Sequence, residues 1–372
     1  MMKLAIVQRA VKAYRIPVYR QLSKHAEVRF FYGDDVPGTK TKTMELSGHD
    51  VLATKCKTWN IKIRNKWITI HLDLIKQLKE FEPDVILVEG ESHFIGALQC
   101  KIYQRIYCRK VPLMKWCFIE LPKAERSGLR FFLKYIFQKV FDVFILYSSF
   151  SAKSLDRYRI EQERGFVAVN VGDIEGNIRK YHKLQEVNKN FDLNNFTVAY
   201  VGNFDPQKNF HLVLDIAEKL FEFQIDVIVA GDGPQKAKYE EIATKRGLSN
   251  ITFLGHVTDM ADVYCRADIV YIPGRGGMVI SEALAFACPV IVHAADGTEY
   301  DLVKDNITGF ILPEDVDEVA GTLLRLKNER TISEKLGTAG QDLVSSTYST
   351  KNMAQQILNA AQHSIDSRRK YV

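Results

Sequence analysis

The sequence has no run of about 18 uninterrupted apolar residues, no CxxC pair and no short tandem repeat or low-complexity tract. The first absence argues against a transmembrane helix. Six cysteines (Cys56, Cys100, Cys108, Cys117, Cys265, Cys288) stand apart with no histidine at zinc-finger spacing. That pattern reads as reduced thiols in a cytosolic chain without a metal site. The opening residues, Met1 to Gln8, turn polar and basic too soon for a signal-peptide core, and they read instead as a first buried strand.

What is present is a long alternation of short apolar runs and helical stretches. At 372 residues and 46% hydrophobic content the chain has room for two ordinary domains. In its first half, Lys3–Gln8, Val28–Tyr32, Val85–Val88, Leu113–Cys117, Val143–Tyr147 and Phe166–Val169 read as strands, with helical spacing in Ile16–Lys24 and Leu72–Phe81. Asp173–Asn195 turns polar without a sustained apolar period and reads as an interdomain connection. A second series follows at Thr197–Val201, Asp226–Ala230, Ile251–Leu254, Ile269–Ile272, Val290–Val292 and Gly309–Leu312. Repeated strand–helix units imply parallel sheets covered on both faces. The expected organisation is an N-terminal Rossmann-like domain over 1–175, a second over 176–345, and a C-terminal helix over 346–372 crossing back to the first domain, with the two domains facing a central cleft.

Charge is unevenly placed. Between Lys101 and Phe141 ten basic residues stand against two acids, a local +8 in a chain whose total is +6. A second acid-free cluster, Lys55, Lys57, Lys62, Arg64 and Lys66, is interleaved with Trp59, Ile61, Ile63 and Trp67. Such a mixture suits an anionic membrane surface, at roughly 1 kcal/mol per well-placed cation, and it equally describes a solvated face whose apolar residues turn to the core. Nucleic acid would leave the same footprint but is not the expected partner.

The stretch from Pro273 to Val292 carries the strongest local chemistry. A strand ends in Gly274, Gly276 and Gly277, a helix starts near Met278, and Pro289 stops it. Glycines let backbone approach a ligand, and N–H groups of a first helical turn suit phosphate or sugar oxygens. Glu282 sits about one turn in. Its carboxylate either accepts hydrogen bonds from a vicinal diol or simply complements the helix dipole. Upstream, strand-end Gly202 is followed six residues later by Lys208, placed to neutralise a diphosphate. Gly231 and Gly233 follow another strand, and Gly255-His256-Val257 another, where backbone suits a planar base and His256 is otherwise an ordinary loop residue.

Taken in order, Gly202…Lys208, Gly231-Asp232-Gly233-Pro234, Phe253-Leu254-Gly255-His256-Val257, Ala267-Asp268-Ile269, Ser281-Glu282-Ala283-Leu284-Ala285, Pro289-Val290-Ile291 and Thr308-Gly309-Phe310 resemble family 4 retaining glycosyltransferases of the GT-B fold, of the bacterial surface-polysaccharide type. The resemblance implies transfer of a sugar from a nucleotide-sugar donor to a glycan or lipid-linked glycan, with retention at the anomeric carbon. It makes Lys208 and Glu282 the catalytic pair: Lys208 on the donor diphosphate, Glu282 on the ribose. The Gly276, Gly277, Met278 and Val279 backbone would hold sugar and distal phosphate, and Val257 would line the base. The nucleotide-sugar is a co-substrate, and no cofactor or metal is implied. The expected location is cytoplasmic, peripheral on the inner face of the membrane.

Three positions depart from the family. Gly274 stands where a glutamate eight residues before Glu282 is usual, Asn203 where an arginine is usual, and no histidine follows Leu113–Cys117. Arg275 is a candidate for the missing positive charge. On the acceptor side the candidates are Arg9, Tyr14, Arg15, His93 and Glu120. The alternatives are a GT-B nucleotide-sugar epimerase and a non-catalytic nucleotide-sugar-binding subunit.

Overall fold

The computed structural model describes residues 1–35, 51–63, 66–90, 95–119, 128–187 and 195–370. The chain divides into two units, Met1–Val169 with Thr350–Val372, and Asn170–Ser349.

The first unit contains strands β1 (Lys3–Val7), β2 (Glu27–Tyr32), β3 (Leu52–Lys55), β4 (Thr58–Ile63), β5 (Lys66–His71), β6 (Val85–Glu89), β7 (Leu113–Cys117), β8 (Val143–Leu146) and β9 (Gly165–Val167). Its helices are α1 (Ile16–Ser23), α2 (Leu74–Phe81), α3 (Gly96–Ile106), α4 (Gly128–Gln138) and α5 (Ser149–Lys153). Seven strands form a parallel sheet in the order β3-β2-β1-β6-β7-β8-β9. The central strands are continuous apolar runs because both faces are covered: Leu4 to Val7 and Val85 to Val88 are almost wholly buried. Strand order reverses between β1 and β6, so the loops after Val7 and Glu89 splay apart at a topological switch point.

The second basic cluster takes a form that periodicity did not suggest. Lys55 ends β3 of the parallel sheet, while Lys62 and Lys66 belong to a separate antiparallel ribbon, β4 with β5, in which Lys62 lies opposite Trp67. There Lys62 sits 5.9 Å over the Trp67 ring, and Lys55 pairs with Asp34 at 2.8 Å, so two of these cations have partners inside the unit. Trp59 and Ile63 remain exposed, and Arg64 lies outside the described residues. In the Lys101–Phe141 segment, Lys115 is likewise not a surface charge. It is 3% exposed, points inward from β7 and donates to Gln138 at 2.8 Å.

The second unit holds β10 (Phe196–Val201), β11 (Ile225–Ala230), β12 (Ile251–Gly255), β13 (Ile269–Ile272), β14 (Val290–Val292) and β15 (Gly309–Ile311). Its helices are α6 (Ile174–Val187), α7 (His211–Leu220), α8 (Lys236–Lys245), α9 (Ala261–Arg266), α10 (Val279–Ala285), α11 (Glu299–Leu302), α12 (Val316–Asn328) and α13 (Arg330–Ser346). The sheet order is β12-β11-β10-β13-β14-β15, all parallel. That is the doubly wound order of dinucleotide-binding folds, with its switch point between β10 and β13. An aromatic cluster of Tyr200, Phe204 and Phe210 fills the base of this crevice, with Phe204 and Phe210 ring centres 4.7 Å apart.

The polar stretch after Asp173 is corrected by the structure: Ile174–Val187 is a helix of the second unit. It packs on α9, α10 and α13, buries Ile174, sets Tyr181 edge-on to Phe286, and ties Lys180 to Asp259. Its apolar contacts are few and large, so they leave no regular period in the sequence.

Helix α14 (Thr350–Lys370) belongs to the first unit. Met353, Ala354, Ile357, Ala360 and Ala361 form its buried stripe, at the spacing of one helical face. That stripe packs against α1 and β6 to β9.

Candidate functional site

In the second unit the loops leaving β10 and β13, the two strands that flank the switch point, are pinned to one another. Lys208 donates through Nζ to the carbonyl of Arg275, Arg275 N–H donates to the carbonyl of Gln207 at 3.2 Å, and Asn209 Nδ2 donates to the carbonyl of Pro273 at 3.3 Å. Between them lies Gly274, whose Cα has no room for a side chain: a Cβ there would stand 2.3 Å from the carbonyl oxygen of Gln207. The departure at this position is therefore built into the backbone, since the site is occupied by a neighbouring main chain.

Lys208 runs beneath Gly202, where an added Cβ would meet its Cε at 3.7 Å. Burial pushes its ammonium below the usual lysine range, Asp296 and Asp205 oppose that, and Arg275 adds to it. A cation held half-dry at the switch point gains from an incoming anion, which would restore its pKa.

Glu282 lies on α10. One oxygen accepts from Tyr264 Oη at 3.2 Å, and the other lies over Gly172, where a Cβ would stand 3.3 Å away. Burial raises its pKa, and the Tyr264 hydroxyl partly offsets the rise. Tyr264 is itself fixed by stacking on Phe286 at 5.4 Å.

The glycine loop is partly committed already. Gly277, in the left-handed region at φ 57, donates to Asp296 Oδ2 at 3.4 Å, and Val279 N–H turns back to the Gly276 carbonyl. Met278 caps α10 at its N-terminal end. Gly202, Gly231 and Gly233 serve strand-end packing: a Cβ on Gly231 would stand 1.8 Å from the Gly202 carbonyl oxygen, and one on Gly233 2.8 Å from the Phe204 nitrogen. His256 is exposed and Val257 half-buried just past β12, while Asn203 turns its amide to Asp205 at 2.6 Å.

Two carboxylates beside this site escaped the motif reading. Asp296 takes both the N–H and the hydroxyl of Thr298, and Glu299 accepts from the N–H groups of Ala295, Asp296 and Gly297 at 2.8, 3.3 and 2.9 Å. Together they freeze the loop after β14. The sequence signal was Asp296-Gly297-Thr298-Glu299 directly beyond a buried strand, which has the shape of a side-chain-capped turn.

In the first unit Arg15 is 4% exposed, its guanidinium 4.0 Å over the Trp116 ring and 2.6 Å from Tyr147 Oη. Tyr14 lies beside it, and Arg9 N–H donates to the buried carboxylate of Glu89 at 3.2 Å across the β1–β6 switch point. Arg9, Tyr14 and Arg15 thus gather at the C-terminal edge of this sheet. His93 and Glu120 lie outside the described residues.

Two doubly wound α/β units, each with its polar cluster at the C-terminal strand edge, define the GT-B fold. Residues 183–343, from inside α6 to inside α13, match the family described as Glycosyl transferases group 1. The chain is 27% identical over 191 residues to O-antigen chain mannosyltransferase C of Escherichia coli, a match covering 49% of this chain and 48% of that protein. It thus spans about half the length of that relative. It is 22% identical to the capsular polysaccharide biosynthesis glycosyltransferase CapM of Staphylococcus aureus over 75% of this chain and 79% of that one. Among solved structures, Alr3699/HepE of Anabaena in complex with UDP superposes with a TM-score of 0.73 at 19% identity, covering 97% of this chain and all of that one.

Proposed function

We propose that the protein transfers a sugar from a nucleotide-sugar to a glycan or lipid-linked glycan acceptor, with retention of anomeric configuration. The observation that carries this reading is the pinned pair of loops at the second unit's switch point, with Lys208 and Glu282 at its margins. Lys208 meets the diphosphate by exchanging the Arg275 carbonyl for a phosphate oxygen, and Arg275 adds a second cation. Glu282 turns its oxygen over Gly172 to the ribose diol while Tyr264 holds the other. In the reaction the bond from anomeric carbon to phosphate oxygen breaks, a bond to the acceptor oxygen forms, and nucleoside diphosphate and the acceptor's proton are released. Negative charge grows on the departing diphosphate as that bond breaks, so cations already aimed at it lower the barrier more than any contact made equally in the ground state. The HepE structures with UDP and with UDP-glucose support a nucleotide-sugar as donor, and the E. coli and S. aureus relatives support a polysaccharide acceptor.

Acceptor chemistry falls to the first unit, where Arg9, Tyr14 and Arg15 line the equivalent strand edge. An anionic membrane surface is the reading for α4, on which Leu129, Phe132, Leu133 and Ile136 form an exposed apolar stripe at helical spacing. No helix among the described residues is long and apolar enough to cross a membrane. The attachment we propose is peripheral, on a cytoplasmic face. The test is nucleotide release from a panel of nucleotide-sugars with and without glycan acceptor. Release that requires acceptor supports transfer. Binding without turnover rejects it, and acceptor-free conversion of the sugar points to an epimerase.

A further inference from the structure

A cavity in the first unit lies at the opposite end of its sheet from the strand edge just described. It measures about 1140 Å³ and opens where β7 and β8 begin, between the C-terminal parts of α3 and α14. Its floor is a tightly held set. Asp142 accepts from Leu113 N–H at 2.8 Å, Gln104 Nε2 at 3.0 Å and Arg368 Nη1 at 2.8 Å, and Arg368 Nε donates to the Arg109 carbonyl at 3.1 Å. Over that floor α3 sends Lys101 and Arg105, one turn apart on the same helix face, and Arg109 joins them from just past the helix end.

Among the described residues none of these three charged groups has a hydrogen bond or ion pair, although like charges one helical turn apart repel. Gln104 adds a second observation. It is 1% exposed, its Nε2 is fully committed, and its Oε1 is buried with no partner among the described residues. Burial lowers the pKa of the Lys101 ammonium, Asp142 opposes this, and Arg368 and Arg105 lower it further. Glu161 and Glu163 also line the cavity, but with Asp142 they are outnumbered by Lys101, Arg105, Arg109, Lys139, Arg164 and Arg368. Next to this face on the same helix, Leu98, Ile102 and Ile106 stand exposed.

We propose that this pocket binds a phosphate ester whose alcohol part is the size of glycerol or a sugar. The phosphate lies between Lys101, Arg105 and Arg109, and a small turn of the Gln104 side chain toward the cavity gives its unpartnered Oε1 a ligand hydroxyl as donor. The cavity is far larger than a phosphate ion, which favours an ester. The same group is presented by a lipid headgroup or by a free phosphorylated polyol, and the apolar row of α3 would accommodate the first.

The experiment uses the full chain in three arms: titration calorimetry with inorganic phosphate, the same with glycerol 3-phosphate, and co-sedimentation with vesicles of phosphatidylcholine alone or with about 30% phosphatidylglycerol. Arg105→Glu, at an exposed position, and Lys101→Gln are run in parallel, with circular dichroism as the folding control. Binding in any arm that weakens at least tenfold in both variants supports the site. Vesicle binding without glycerol 3-phosphate binding names the lipid as source, and the reverse names the free ester. The proposal is overturned if no arm binds or if the variants bind as wild type. Because the pocket lies in the first unit, a failed result here leaves donor turnover unchanged, so the two readings are separable.

Discussion

Gly274 and Gln207 are in backbone contact: a Cβ on the first would stand 2.3 Å from the carbonyl oxygen of the second and 2.7 Å from the Lys208 Cα. Placing a glutamate at position 274 should therefore not improve the protein. We expect Gly274→Glu to force the 205–209 loop away from 273–275, break the Lys208–Arg275 contact, and destabilise the second unit by about 1–3 kcal/mol. A lower Tm together with weaker donor binding checks this. Unchanged Tm with higher turnover would refute it.

This contact also marks the limit of what the sequence disclosed. The doubly wound architecture was legible because buried parallel strands are continuous apolar runs, and Ile269–Ile272 and Val290–Val292 were read at their observed limits. The loops at the switch point were legible as residue types but not as partners. Gly274 looked like a lost carboxylate, whereas its reason is a main chain from a loop 67 residues earlier in the chain, the separation seen for Lys208 and Arg275. Helix α6 was missed because it packs through isolated residues, and the β4–β5 ribbon because its alternation coincided with alternating charge.

Glu282 should make stability pH-dependent. Its folded pKa is raised by burial above the ordinary 4.5, so the native state holds its proton more tightly than the unfolded chain. That contribution is fully present below the unfolded pKa and is lost as pH rises through the folded one. Glu282→Gln, which cannot ionise, should accordingly melt progressively higher relative to wild type as pH increases from about 4 towards neutrality. A Tm difference flat across that range would contradict the assignment. The same variant should lose donor affinity, since an amide accepts at only one atom.

Lys208→Ala removes the ammonium proposed to meet the diphosphate. Loss of one preorganised group facing developing charge costs roughly 10²–10³ in turnover. We expect that loss in nucleotide release with acceptor, at near-wild-type Tm, because Lys208 is half-buried and its internal partner is one carbonyl. Wild-type turnover would remove Lys208 from the site.

Arg15→Ala tests the first unit. It would leave the Tyr147 hydroxyl without its guanidinium at 2.6 Å and open a void over Trp116, costing roughly 1–3 kcal/mol. Donor binding, proposed for the second unit, should be unchanged, while acceptor-dependent turnover falls. Equal loss of donor affinity would show that Arg15 serves the nucleotide-sugar instead.

The α4 stripe supplies the last test. Leu129, Phe132, Leu133 and Ile136 are between 49% and 72% exposed, so replacing two of them disturbs little of the core, and Phe132→Glu with Leu133→Glu should leave Tm nearly unchanged. If α4 lies in the headgroup region of an anionic bilayer, the added charges both remove buried apolar area and repel the surface. Co-sedimentation with phosphatidylglycerol vesicles at low salt should then fall at least tenfold, while turnover on a water-soluble acceptor persists. Binding that survives the double substitution would move the membrane contact away from α4. Loss of turnover on the soluble acceptor would instead mean that this stripe belongs to the acceptor site.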